Sequence, residues 1–79
     1  MESINNWFID RESCTAVHDS GLIVRFEAAE DNVIDGFAVN KKAWLSSFPT
    51  HEHDIVLSFF PALMGQGADA YCQSLNRCN

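Results

Sequence analysis

Positive charge is scarce in this 79-residue chain, with five Lys and Arg against eleven Asp and Glu. The bases are scattered and only Lys41 and Lys42 adjoin, so no cationic stripe exists to displace counterions from a polynucleotide, and direct nucleic-acid binding is not expected. Long apolar runs are missing as well. Nothing approaches the ~20 residues of a membrane span, and Met1 to Asn6 lacks the basic start and apolar block of a signal peptide. The expectation is a soluble, cytoplasmic protein that does not engage a membrane. Cysteine is sparse, at positions 14, 72 and 78. An odd number without C-x-x-C spacing fits reduced thiols better than a disulfide framework.

Motifs with chemistry are also lacking. Gly65-Gln66-Gly67-Ala68-Asp69-Ala70 matches G-x-G-x-x-A in form, but a dinucleotide site needs a strand before it and a second strand and ribose-binding acid after it. Only nine residues follow Ala70. His51 and His53, with Asp54, His18 and the cysteines as further donors, form the only candidate metal set, yet on a helix the two rings diverge by about 200°. No metal or other cofactor is expected. Cys14 or Cys72 could be drawn beside His18 or His51 as nucleophile and base, but nothing in the spacing supplies an orienting third group. Glu30 and Asp31 adjoin in a polar turn with no apolar pocket to raise one pKa. An enzyme is not expected.

What the chain does have is apolar bulk: 47% hydrophobic residues, with six Phe, two Trp and one Tyr. That is far from the composition of disorder, and the length allows one domain, residues 1–79. A domain of this size buries only about 60 to 65% of its unfolded surface. Some large apolar side chains must therefore stay near the surface, and Trp44, Phe48, Phe60 and Met64 suggest a homodimer or constitutive complex through the helical half.

The hydrophobic pattern changes period near Asn40. Leu22 to Ala28 alternates cleanly, with Leu22, Val24, Phe26 and Ala28 on one side. Asp19-Ser20-Gly21 before it reads as a hairpin turn from a strand at Cys14 to His18, and Trp7 to Arg11 reads as the first strand. Val33 to Val39 is a fourth segment, in which Gly36 reads as a bulge. Asn40 is placed to cap a short helix through Leu45 that stops before Pro49. Thr50 reads as a second N-cap, with Glu52 and Asp54 in the first turn. Ile55, Val56, Phe59, Phe60, Leu63 and Met64 then form an apolar face at helical period. Pro61 should kink or restart that helix, Gly65 to Gly67 should break it, and a last helix should run to about Arg77. Residues 55–60 also fit a buried strand, with helix the preferred reading.

The predicted fold is α+β: a three- or four-stranded antiparallel meander over residues 7 to 39, followed by two or three short helices packed on one face. Its core should hold Trp7, Ile9, Leu22, Val24, Phe26, Phe37, Ile55, Val56, Phe59, Leu63, Tyr71 and Leu75.

Charge is distributed unevenly along the chain. Residues 1–40 carry eight acids against Arg11 and Arg25, which accounts for the whole net charge of −6, because the second half is balanced. Such a field attracts cationic surfaces. The function class expected is a small acidic, non-catalytic protein-binding module that occupies a basic surface of another protein. Inhibitors and immunity-type proteins are of this kind, for example phage or mobile-element anti-defence inhibitors, which is an analogy of class. Glu27, Glu30, Asp31 and Asp35 are the candidate partner-binding acids, with Glu12 and Asp19 as neighbours in the turns and Trp44 and Phe48 as apolar anchors. Two other classes stay open: a small His/Cys metal-binding or redox domain, and a self-associating structural or regulatory subunit.

Overall fold

Asn5 and Asn6 start the architecture. Both take positive φ, 50° and 71°, which a two-residue type I′ hairpin demands and asparagine tolerates. They join β1 (Glu2–Ile4) to β2 (Trp7–Asp10), with Ile4 opposite Trp7. The computed structural model describes residues 2–28 and 34–76. Within them β3 (Thr15–His18), β4 (Ile23–Ala28) and β5 (Ile34–Ala38) complete a sheet in which each strand pairs antiparallel with the next, in the order β1-β2-β3-β4-β5. Gly21, at φ 100°, closes the Asp19-Ser20-Gly21 loop, where the Gly21 amide donates to the His18 carbonyl and the His18 amide to that of Leu22. A turn followed by a left-handed glycine suits a three-residue hairpin.

One sheet face is covered. Ile4, Trp7, Ile9, Ala16, Leu22, Val24 and Phe26 are buried there, in the alternation that β4 displays in sequence. A short helix α1 (Lys41–Ser46), which contributes Trp44, and one 3-10 turn (Thr50–Glu52) lead into the cover, a 24-residue helix α2 (His53–Asn76). The C-terminal half of α2 lies on the sheet. Trp7 is fully buried against Gly67, where a Cβ would stand 2.8 Å from the ring. Tyr71 stacks on Phe26 with ring centroids 4.5 Å apart, and the buried Ser74 hydroxyl donates to Glu2 Oε1.

Several expectations change. The sheet has five strands, since the meander begins at Glu2 and not at Trp7. Gly36 is not a bulge: the β4–β5 register runs through it unbroken, with Gly36 opposite Phe26. The Phe26 ring covers the glycine so closely that a Cβ would sit 2.7 Å away. The helical half holds one long helix where shorter ones were expected, and α2 passes through Pro61, Gly65 and Gly67 without ending. Pro61 forfeits one backbone bond, and packing of the following turns on the sheet outweighs that loss. Asn40 does not cap α1 with its side chain; its Oδ1 instead accepts from the Ile23 amide and its Nδ2 donates to the Gly21 carbonyl. Thr50 opens the 3-10 turn and does not cap α2.

Core membership also shifts. Phe37, Ile55, Phe59 and Leu75 are exposed, and Val56 and Leu63 are only partly buried against the core. Trp44 is buried, with Phe48, Phe60 and Met64 packed partly against it or its neighbours. The contact of Gly67, Ala70, Tyr71 and Ser74 with the sheet fixes the rotation of α2. That rotation turns Phe60 toward Trp44, at 5.8 Å between centroids, and leaves Ile55 and Phe59 outside. The side chains that motivated a dimer through the helical half are thus largely used within the molecule.

Candidate protein-binding surface

The sheet register sorts the acidic residues by end. Glu27 lies directly opposite Asp35 on neighbouring strands, and both are exposed on the face away from α2. Like charges directly opposite oppose pairing. The β2–β3 loop, which contains Glu12, lies at the same end, because Thr15 pairs with Arg25 and Asp10 with Thr15. Asp19 does not join them. It sits in the β3–β4 loop at the other end of the sheet, away from Glu12, Glu27 and Asp35. Glu30 and Asp31 lie outside the described residues, in the chain between Glu27 and Asp35.

The expected apolar anchors are elsewhere. Trp44 is 5% exposed, its Nε1 donates to Ser20 Oγ at 2.9 Å, and Phe48 packs edge-on against it at 5.3 Å. A partner could not reach the Trp44 ring without opening the core. The exposed aromatic side chains are Phe8, Phe37 and Phe59. Phe8 and Phe37 share the outer sheet face with the acids. The signal for this was present in Trp7-Phe8-Ile9: consecutive apolar residues on a strand mark apolar character on both faces.

Each chemical alternative meets specific geometry. Cys14 precedes β3 and His18 ends it, and Cys72 lies nineteen positions after His53 on α2, about 28 Å along a helix. His53 Nε2 lies 3.0 Å from the Phe48 carbonyl, so its ring is used to join α2 to the preceding turn. No group of three or more His, Cys, Asp or Glu among the described residues could hold a metal ion. A hydroxyl and an imidazole do meet: Ser20 Oγ is 2.8 Å from His18 Nδ1. The Ser20 amide also donates to Nδ1, at 3.1 Å, which fixes that nitrogen as an acceptor and the ring as neutral. Burial holds the His18 pKa below 6.5, with Asp19 pulling upward. The Trp44 indole completes this chain of bonds, which locks the β3–β4 loop onto α1.

At the opposite end Tyr71 faces Cys14, and burial, the hydrogen bond with Cys14 and the nearby thiols push its pKa up to about 12. A phenol so weakly acidic stays protonated at neutral pH and serves as a packing and hydrogen-bonding group. No protein-family model matches the chain, and no curated protein or solved structure matches it significantly.

Proposed function

We propose that this protein is a non-catalytic binding module whose acidic sheet end engages a basic surface of another protein, as an inhibitor or immunity-type protein does. The observation that carries the reading is the Glu27–Asp35 pair, two exposed carboxylates held opposite each other at a cost to strand pairing. The Glu30-Asp31 pair in the chain between them adds to the same stretch of negative charge. Such groups accelerate encounter with a cationic partner more than they deepen final affinity. A phage or mobile-element anti-defence inhibitor is one role that this chemistry fits, and the compartment in this reading is the cytoplasm.

The test compares the native chain with Glu27→Lys/Asp35→Lys as bait in extracts of the native host, followed by association kinetics on the captured protein. The expected result is one partner captured by the native chain, with an association rate at low salt at least about tenfold slower for the reversed variant. A partner bound equally fast by both, regardless of salt, would remove this reading.

A further inference from the structure

On the sheet face away from α2, one row of side chains is apolar over four of the five strands. In register, Phe8 of β2 stands beside Val17 of β3 and Val17 beside Ile23 of β4. Val39 follows, its amide bonded to the Ile23 carbonyl, and Ser3 of β1 ends the row beside Phe8. Phe8 is 44% exposed and Val39 51%. The next row holds Asp10, Thr15, Arg25 and Phe37 in the same strand order. Arg25 is the only Lys or Arg in any of the five strands. Every described element that packs on the sheet packs on the other face.

We infer that this face is closed by the same face of a second copy, with a two-fold axis running along β3. Three features choose a second copy and this axis. First, β3 is the central strand, so rotation about it places β2 over β4 and β1 over β5 of the partner and covers all five strands. Aligned sheets pack in this way, about 10 Å apart and within about 30°. Second, the rotation sets Phe8 over the partner's Ile23, Val17 over the partner's Val17, and Ser3 over the partner's Val39, so the apolar row meets itself. Third, it sets Asp10 over the partner's Arg25, twice by symmetry, which is the self-complementarity an isologous interface needs. An axis along β4 would instead bring Arg25 against the partner's Arg25. Glu27 and Asp35 lie one row beyond the covered rows, so the dimer leaves the acidic end open and the inference stands apart from the proposed function. Five strands span about 24 Å, and only two rows of side chains face the partner, a patch smaller than the standard interface, so the dimer should be weak, with dissociation at micromolar or higher concentration.

Sedimentation of the full chain from about 5 to about 500 μM, spanning that range, tests the inference. A monomer–dimer transition is expected. Asp10→Arg and Arg25→Asp should each weaken it at least about tenfold, and the double swap should restore it to within about threefold. Circular dichroism checks that every variant is folded, since Asp10 also accepts from the Glu12 amide. Ile55→Glu/Phe59→Glu, which alters the exposed side of α2 instead, should leave the dimer unchanged. A monomer throughout, a dimer dissolved only by the α2 variant, or folded single swaps without rescue in the double would each overturn the inference.

Discussion

Two glycines in α2 separate two physical roles. Nothing lies within 4 Å of a Cβ added at Gly65, so Gly65→Ala should gain helix propensity of about 1 kcal/mol with no clash. At Gly67 the same change meets Trp7, whose ring atoms would be 2.8 to 3.1 Å from the new carbon. That ring is fully buried and cannot swing away, and overpacking of this kind costs about 1–3 kcal/mol. Gly67→Ala should therefore lower the urea midpoint while Gly65→Ala raises it. Equal shifts in both would mean that α2 does not approach the sheet through Gly67. Trp7 is itself under-satisfied, for its indole N–H is buried without a hydrogen-bond partner among the described residues. Its packing against Gly67 and against the His18 ring, at 4.9 Å, must outweigh that desolvation.

The β3–β4 loop and α1 act as one element through His18, Ser20 and Trp44, and this coupling should be visible in pH. The unfolded His18 titrates near 6.5 and the folded one below it, so between those values the unfolded chain binds more protons. Stability is then complete above pH 6.5 and declines as pH falls from there through the folded pKa. Thermal unfolding at pH 7.5 and 5.5 should show this decline, and His18→Gln should remove part of it. An unchanged pH slope in His18→Gln would show that the ring is not held neutral by its two donors. Pro61 lies inside α2. It deprives the Leu57 carbonyl of an intrahelical partner, and Pro61→Ala should raise stability by about 1–3 kcal/mol, read from denaturant unfolding. Elements such as these also set how much of the fold was legible in sequence. β4 was readable because one face is buried and the other exposed, and the α+β class followed from the change of period at Asn40. β1 was missed because Asn5-Asn6 carries its turn signal without a glycine. The continuity of α2 was hidden because Pro61, Gly65 and Gly67 are local breakers, whereas Gly67 against Trp7, Tyr71 against Phe26 and Ser74 against Glu2 are contacts distant in sequence. The same distant contacts decide that Phe60 turns inward and Phe59 outward, which a six-residue apolar stripe cannot decide for itself.

Across the molecule, the apolar row and the Glu27–Asp35 pair occupy different rows of the same outer sheet face. The acids that give the net −6 come from the half of the chain that builds the sheet, and Glu27 and Asp35 concentrate part of that charge at one end. Holding them together costs stability, and the cost is measurable because both are exposed in a regular antiparallel pair. Glu27→Lys would turn a like-charge pair into an opposite-charge pair across β4 and β5, an expected gain of about 0.5 kcal/mol at low ionic strength. In about 1 M salt, where the screening length falls to about 3 Å, most of that gain should vanish. Denaturant midpoints for the native chain and Glu27→Lys at low and high salt check both halves of this expectation. A gain in stability that accompanies slower association with a partner would mark these carboxylates as retained for binding at the expense of the fold, the pattern of residues placed for function. No gain at low salt would instead show that the sheet end tolerates its acids without strain, and the stability cost that supports the binding reading would be gone.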